Sequence, residues 1–539
     1  MRLAHHKARI CFSYCFSLRF SSTISPLPFV ATTSDAQILK CALDDRKTSL
    51  NLKEVLRIHA KIVKFGFGMD STLVSRLLIN YIECGHLHFA RSLLGEIRFP
   101  NFDLITNNKL ISSFMKNKDV ETAKKVFLDM LFKDVVSWNS LIGGYVKNSR
   151  YEEAIGLFKD MCLSNIEPDE FTFSSVIAGC AGLGVLDHAL WIHGLLIDKR
   201  IVLNDILLSA IIDMYAKCGK IDIAKEIFHG CRSRKISVWN SMITGLAAHG
   251  LASDAISVFC QMEEENILPD SITFLGVLTA CSRCGLVAQG QKYFDIMRRQ
   301  YCIEPELEHY GAMVDLFGRA GQLDEAYATI SAMPMYPDLV IWKTLLSACR
   351  TYKNVELGEF VTRNISCLDS GDYVLLSNTY CSLNRWTISA NMRENMRREG
   401  IYKDHGKSWI ELAGNIHYFK AGSRAHPEIE AIDKILKQLI KRAKLEGFVA
   451  ATELVLMDVT EEEKEENLNF HSEKLALAFG VLKTSPRREI QILKNLRICY
   501  DCHSWFKIIS IMLRRVIIVR DCVRFHKFEA GSCSCGDYW

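Results

Sequence analysis

Proline is scarce, ten in 539 residues. That is few for a chain punctuated by strands and tight turns, and because proline breaks helix interiors its scarcity favours helices. No run of about eighteen uninterrupted apolar residues occurs, so no membrane-spanning helix is expected. Net charge is only +4, and bulk electrostatics therefore nominate no nucleic-acid partner; any such surface has to be local. Acids are missing from the first 34 residues, where Arg2, Lys7, Arg9 and Arg19 accompany a serine patch at Ser21, Ser22 and Ser25. This composition predicts an organellar transit peptide over residues 1–30. Cysteine is too sparse for a disulfide scaffold, but five of the twenty fall in the last 41 residues. With 49% hydrophobic and 24% charged residues, disorder and collagen-like or mucin-like chains are excluded. The length points to several domains or an elongated repeat array.

A repeat is present. VVSWNSLIGGY from Val135 returns as ISVWNSMITGL from Ile236, so Trp138 recurs as Trp239, Asn139 as Asn240 and Asp169 as Asp270, each after 101 residues. The interval divides into units at 135–169, 170–204 and 205–235, after which the cycle restarts. Each unit carries two stretches of three-to-four apolar periodicity, the pattern of a helical hairpin. Hairpins of this size bury their apolar faces only by stacking, which predicts an α-solenoid. The repeat also absorbs tempting residues. Cys281 and Cys284 form a CxxC, but Cys281 lies 101 residues after Cys180 and so marks a packing position. His59 and His193 sit in matched strings, IHAKIVK and IHGLLID, and Trp138 and Trp239 are expected to pack.

Strings such as VVSWNSLIGGYVKNSRYEEAIGLFKDM and SAIIDMYAKCGKIDIAKEIF resemble the plant pentatricopeptide repeat proteins of the subclass that alternates long and short motifs. The resemblance implies a repeat array over residues 31–338, with units starting near 71, 104, 236, 271 and 307 beside those above, and repeat-like extension motifs over 339–405. It further implies that the fifth and last residues of a unit read one base of single-stranded RNA. Those pairs are Ser75 with Asp103, Asn108 with Asp134, Asn139 with Asp169, Ser174 with Asn204, and Asn240 with Asp270. By the family's code, Asn with Asp favours uracil, Ser with Asp guanine and Ser with Asn adenine. Ser209 with Lys235 and Leu275 with Glu306 fit no rule. Asn, Ser and Asp also cap helices, an alternative reading of the same positions.

Beyond Gly406 the pattern changes. GKSWIELAGNIHYFKAG alternates like strands around a turn, AHPEIEAIDKILKQLIKRAKLEGF reads as a proline-started amphipathic helix, and the acidic run Asp458 to Glu466 as a solvated connector. His471 and Glu473 flank Ser472, and Cys499 and Cys502 follow as a CxxC. One imidazole and two thiolates leave the fourth tetrahedral zinc position open, as a catalytic site requires, with Glu473 suited to carry protons. His-x-Glu with Cys-x-x-Cys is the pattern of zinc nucleobase deaminases. HSEKLALAFG, RFHKF and GSCSCGDYW together resemble the deaminase domain named for its terminal Asp-Tyr-Trp, over 406–539. The fold expected is thus a helical-hairpin solenoid followed by a smaller α/β zinc-dependent cytidine-deaminase-like domain. The resemblance places a second, structural zinc on His503, His526, Cys533 and Cys535, a closed ligand set; packed or redox-active thiols are the alternative for the two cysteines. Cys522 matches no ligand position and is expected to be structural. From Leu482 to Phe528, eleven Lys or Arg against three acids would draw a phosphate backbone towards the zinc.

Three departures stand beside the matches: Ile498 precedes Cys499 where proline is usual, Tyr500 stands where glycine is, and His405-Gly406 replaces the family's Pro-Gly. The function implied is site-specific C-to-U editing of organellar RNA, in the mitochondrion or alternatively the chloroplast, with helper proteins as possible partners. A non-catalytic RNA-binding factor for transcript stability, processing or splicing is the alternative, and a metal-dependent RNA nuclease a more distant one.

Overall fold

A computed structural model describes residues 33–44, 51–96, 102–231, 234–365, 369–382, 385–402, 405–455 and 460–538. The expected transit peptide lies outside them. These residues fall into two compact units, one up to Gly179 and one from Cys180 onward.

Up to residue 398 the described elements are twenty-two α-helices in eleven successive pairs, with one short 3₁₀ turn after the first pair. In the first unit they are α1 (Thr33–Asp44), α2 (Leu52–Lys64), α3 (Ser71–Glu83), α4 (Leu87–Glu96), α5 (Leu104–Lys116), α6 (Val120–Asp129), α7 (Val135–Lys147) and α8 (Tyr151–Leu163). There follow α9 (Glu170–Leu183), α10 (Leu186–Asp198), α11 (Asp205–Lys217), α12 (Ile221–Gly230), α13 (Ile236–Ala248), α14 (Ala252–Glu264), α15 (Ser271–Cys284) and α16 (Val287–Arg299). The last pairs are α17 (Leu307–Arg319) with α18 (Leu323–Ser331), α19 (Leu339–Thr351) with α20 (Val355–Arg363), and α21 (Ser370–Ser382) with α22 (Trp386–Arg398).

Local chemistry starts these helices where the sequence periodicity puts them. Asp134 accepts from the Ser137 amide at 2.8 Å and Asp270 from the Thr273 amide at 2.8 Å, each closing a reciprocal capping box. Such a cap contributes about 1 kcal/mol to its helix. Packing then joins the pairs. A side chain at the end of one first helix repeatedly donates to a carbonyl at or just beyond the end of the preceding first helix: Asn148 to Met115 at 2.9 Å, Cys218 to Val185 at 3.5 Å, His249 to Ala216 at 2.8 Å, Cys284 to Gly250 at 3.1 Å and Tyr352 to Arg319 at 2.6 Å. Carbonyls at helix ends lack intrahelical donors, so this contact both satisfies them and fixes the stacking.

The residues expected to pack do so. Cys180 and Cys281 are fully buried, Trp138 lies edge-on to Phe127 and Trp239 edge-on to Phe228. His59 and His193 occupy one repeated position, their Nδ1 atoms 2.9 and 2.7 Å from the hydroxyls of Tyr81 and Tyr215. No described helix is long and apolar enough to cross a membrane.

The terminal segment forms a six-stranded sheet in the order β2-β1-β3-β4-β5-β6. β1 (Lys407–Leu412) and β2 (Asn415–Lys420) are a hairpin turned at Ala413-Gly414. β3 (Ile490–Lys494) runs parallel to β4 (Ile517–Arg520), the crossover between them being α26 (Tyr500–Leu513), and β5 (Phe525–Glu529) and β6 (Ser532–Cys533) complete the sheet antiparallel. α23 (Ile429–Leu445) and α25 (Ser472–Lys483) pack with α26 on a core that includes Phe479, Trp505, Phe506 and Phe528.

Two sequence expectations need correction. The acidic run is not a connector throughout: Glu461–Asn469 is a helix, α24, because Thr460 and Glu463 close a capping box and three glutamates sit in its first turn, where the helix dipole favours them. Cys522, expected to be structural, is exposed.

Candidate functional site

Two helix starts build the first cluster. His471 is the N-cap of α25 and Cys499 the N-cap of α26, so the ring and the thiol sit at facing amide-rich ends, while Cys502 lies in the first turn of α26. His471 Nδ1 is 3.4 Å from both Cys499 Sγ and Cys502 Sγ. Zn–S near 2.3 Å and Zn–N near 2.05 Å at a tetrahedral angle require an N–S edge of about 3.6 Å, so the donors are spaced as a zinc ion needs them. The ligating atoms of His471, Glu473, Cys499 and Cys502 all lie within 4.8 Å of one another. The hydrogen bond from Cys502, helped by His471 against the cost of burial, holds the Cys499 thiol well below its ordinary value, while burial and Cys499 push Cys502 up.

Glu473 is fully buried beside these ligands. Burial opposes its ionisation, but the ammonium of Lys494, with which it forms a buried ion pair, and His471 outweigh that and bring it down to about 2. Ser472 Oγ donates to the same carboxylate at 3.1 Å. A second buried pair, Lys474 with Asp501 at 2.8 Å, ties α25 to α26, and Asp501 also accepts from the Ala451 amide at 3.1 Å. The ligands therefore inherit their spacing from a bonded helix pair.

The cluster borders a cavity of about 570 Å³ whose lining includes His471, Cys499, Tyr500, Tyr373, Asn378 and Arg393, the last three from α21 and α22. Tyr500 is 56% exposed here, so its departure from glycine adds an aromatic ring to the wall. Ile498 has a local reason: its N–H donates to Asp521 at 3.2 Å, a bond proline cannot make.

The second cluster joins α26, β5 and β6. His503 Nε2 is 3.2 Å from Cys535 Sγ and His526 Nδ1 is 3.6 Å from Cys533 Sγ, and all four ligating atoms lie within 4.8 Å. Hydrogen bonds from Cys533 and from both imidazoles, against burial, hold Cys535 down to about 2, whereas the same bond and burial raise Cys533. Asp521, 3.4 Å from His526 Nε2, orients that ring. Four donors with no gap among them suit a metal that holds structure rather than one that reacts.

In three of the five expected pairs, the fifth and last residues are brought together by direct bonds. Asn139 Nδ2 donates to Asp169 at 2.9 Å, Asn240 to Asp270 at 3.0 Å and Asn108 to Asp134 at 3.3 Å. The carboxylate is simultaneously the cap of the next helix, so capping and pairing are one arrangement. Thr172 and Thr273 donate to the Oδ1 atoms of Asn139 and Asn240 at 2.6 Å, which fixes which way each amide faces. Each such Asn keeps one N–H and one lone pair for an incoming group. Burial resists ionisation of Asp169, but the bonds from Thr172 and Asn139 outweigh it and keep its carboxyl below the ordinary value. Ser75 instead donates to the Thr72 carbonyl, and Asp103 caps α5. Ser174 is half-buried on α9, and Asn204 caps α11. Lys235 pairs with Asp205 at 2.8 Å, Ser209 bonds the Ile206 carbonyl, and the Glu306 N–H donates to His309; these units depart from the Asn-Asp arrangement.

Sequence reasoning missed Lys494, Lys474 and Asp501, since no spacing ties a lysine to a carboxylate 21 or 27 residues away. It also read the basic stretch after Leu482 as a phosphate-attracting surface. Several of those bases have internal partners: Lys494 holds Glu473, and Arg520 and Arg524 donate to backbone carbonyls.

The chain is similar to known proteins along its length. Residues 447–539 match the DYW family of nucleic acid deaminases, 352–411 the E motif, 133–182 and 234–283 the PPR repeat family, and 108–135, 206–236 and 308–335 the PPR repeat. Pentatricopeptide repeat-containing protein At5g50990 of Arabidopsis thaliana is 51% identical over 527 residues, 98% of either chain. Pentatricopeptide repeat-containing protein At1g59720, chloroplastic/mitochondrial, of the same plant is 41% identical over 90% of this chain and 73% of its own. The crystal structure of the maize pentatricopeptide repeat protein PPR10 superposes with a TM-score of 0.46 at 14% identity, over 77% of this chain and 62% of that one.

Proposed function

The chain belongs to the pentatricopeptide repeat proteins that carry an E motif and a carboxy-terminal DYW deaminase domain, and on that premise we propose that it binds single-stranded organellar RNA at a defined site and converts cytidine there to uridine. The observation that carries this reading is the buried Glu473 beside the His471, Cys499 and Cys502 ligand set at the edge of a cavity large enough for a nucleotide. Zinc held by those three residues would activate water for attack at C4 of cytosine. One water is consumed, the C4–N bond breaks and ammonia leaves. Glu473 carries the protons, first to N3 of the ring and then to the departing amine. Lys494 keeps Glu473 ionised and aimed at the ligands until a proton is available. His503, His526, Cys533 and Cys535 would hold the second zinc.

Base choice falls to the repeats. Asn108, Asn139 and Asn240, with Asp134, Asp169 and Asp270, offer uracil one donor and one acceptor each. Ser75 with Asp103 and Ser174 with Asn204 read guanine and adenine. The named plastid and mitochondrial relative and the acid-free leader support an organellar address, which we assign to the mitochondrion, with the chloroplast as the alternative. Helper proteins that complete the editing complex remain part of this proposal.

The test is direct. Purified, zinc-loaded protein is incubated with a labelled RNA carrying the expected uracils, and Glu473→Ala is run beside it. Conversion is expected to vanish in the variant while RNA affinity and zinc content stay within about twofold of the parent. A variant that still converts cytidine sinks the proton-carrier assignment, unconverted RNA with the parent favours the non-catalytic factor, and strand scission favours a nuclease.

A further inference from the structure

Within the unit from Cys180 onward, the terminal sheet lies across the turns that end the first helices of four successive repeat pairs. At the end of α9, Trp409 Nε1 donates to the Leu183 carbonyl at 3.2 Å. Arg520 donates to the carbonyls of Ala181 at 3.2 Å and Lys217 at 2.9 Å, joining the ends of α9 and α11. Phe525 stacks on His249, after α13, with ring centroids 4.1 Å apart and planes 8° from parallel. Arg524 donates to the Arg283 carbonyl at 2.9 Å, in the last turn of α15. Helix ends carry partial negative charge on unsatisfied carbonyls, so guanidinium groups are the side chains that fit there.

The opposite charge is matched too. Val185, before α10, provides no side-chain cap, and the buried Glu411 supplies one from the sheet, accepting from the amides of Asp187 at 2.9 Å and His188 at 3.3 Å and approaching His188 Nδ1 at 2.6 Å. Lys220 and Glu489 add an ion pair at the edge.

At three of the turns an added side chain would have to displace a side chain of the terminal domain. At Gly184, with φ +76°, a Cβ would lie 2.2 Å from Leu493 Cδ2; at Gly250, with φ +70°, 2.1 Å from Arg524 Nη2; at Gly285, with φ +69°, 2.9 Å from the Tyr538 ring. The same left-handed turn at Gly85, φ +75°, has nothing within 4 Å. At Gly321, φ +78°, a Cβ would instead lie 2.8 Å from Tyr352 of the next pair, so among these turns the terminal domain crowds those beneath its sheet and its chain end. At the other end of the terminal domain, the Glu473 cluster faces α21 and α22 across the cavity. The Asn240–Asp270 pair, which lies in the same unit, and the cluster are thus referred to one set of repeats.

We propose that these four turns form a seat that locks the terminal domain to the repeats, and that this lock selects which nucleotide reaches the His471, Cys499 and Cys502 cluster. The selection role rests on the deaminase reading above. To present a neighbouring nucleotide, the sheet has to slide along the turns and break the Arg520, Arg524 and Glu411 contacts together.

The experiment uses the full zinc-loaded chain, two variants on opposite sides of the contact, Glu411→Lys and Gly250→Val, and Gly85→Val as the control for backbone strain. Amide exchange is followed over 181–184, 217–220 and 247–250, and conversion is read by position in an RNA with cytidines at successive sites. The parent is expected to protect those amides and convert one cytidine. Each seat variant is expected to exchange about tenfold faster there, keep its zinc and RNA affinity, and spread conversion to adjacent cytidines, while Gly85→Val does none of this. Unchanged exchange in both seat variants overturns the seat. Faster exchange with conversion still confined to the same cytidine overturns the selection role. A parent that binds RNA and converts nothing overturns the deaminase reading and the selection role with it, and the exchange pattern still decides the seat.

Discussion

Lys474 ties together the two helices that begin at His471 and Cys499. It is completely buried, bonded to Asp501 at 2.8 Å, with its ammonium 5.3 Å from the Trp505 ring and 5.4 Å from that of Phe448. Removing one partner of such a pair leaves a charge stranded in the core, a loss of about 3–5 kcal/mol, whereas removing both restores much of it. Lys474→Met is therefore expected to lower the unfolding midpoint of the terminal domain and its zinc content, and Lys474→Met with Asp501→Leu to recover most of the midpoint; denaturant titration with zinc analysis measures both. That His471, Cys499 and Cys502 come together was legible, since they stand at motif spacing. Their supports were not, because a buried lysine carries no local signature in the chain.

At the scale of the helix pair, one residue does two tasks. Asp169 starts α9 through the Thr172 amide at 2.8 Å and orients Asn139 at 2.9 Å. The sequence left capping and base contact as competing readings of that aspartate, and geometry makes them compatible, because its carboxylate accepts from both. Replacing the amide while keeping the carboxylate tests the base-reading part: Asn139→Ser is expected to move the preference at the facing nucleotide from uracil to guanine by about tenfold, roughly 1.4 kcal/mol, measured by competition binding with RNAs differing at that position. The helix pairs were almost wholly readable, from units starting at 71 to those at 307, since a repeated period reports local structure. α24 was not: its acidic composition resembles a solvated linker, and the Thr460 cap, closed reciprocally with Glu463, together with the glutamates of the first turn decides for helix.

For the whole molecule, the repeats and the terminal domain are held by different forces. The pairs stack through buried apolar faces and helix-end hydrogen bonds, none of which needs a metal. The terminal sheet instead closes on His503, His526, Cys533 and Cys535, from one helix, two strands and the chain end. Chelation is expected to leave the helical far-ultraviolet signal within about a tenth of its starting value while β5 and β6 lose amide protection. Retained protection in β5 and β6 after complete zinc removal contradicts a structural role for that cluster.

Residue order by itself determined the helical pairs and the two groups of metal-binding residue types, because periodicity and ligand spacing are local properties of a chain. Only the tertiary structure decided that Lys494 would face Glu473, that Asn and Asp of one unit would share a bond, and that Arg520 and Arg524 would serve the helix ends of repeats about 240 to 340 residues earlier rather than a phosphate backbone. These partners are chosen by burial: a charge enclosed by the fold must find its opposite or a carbonyl wherever the packing brings one, and sequence distance does not enter that choice.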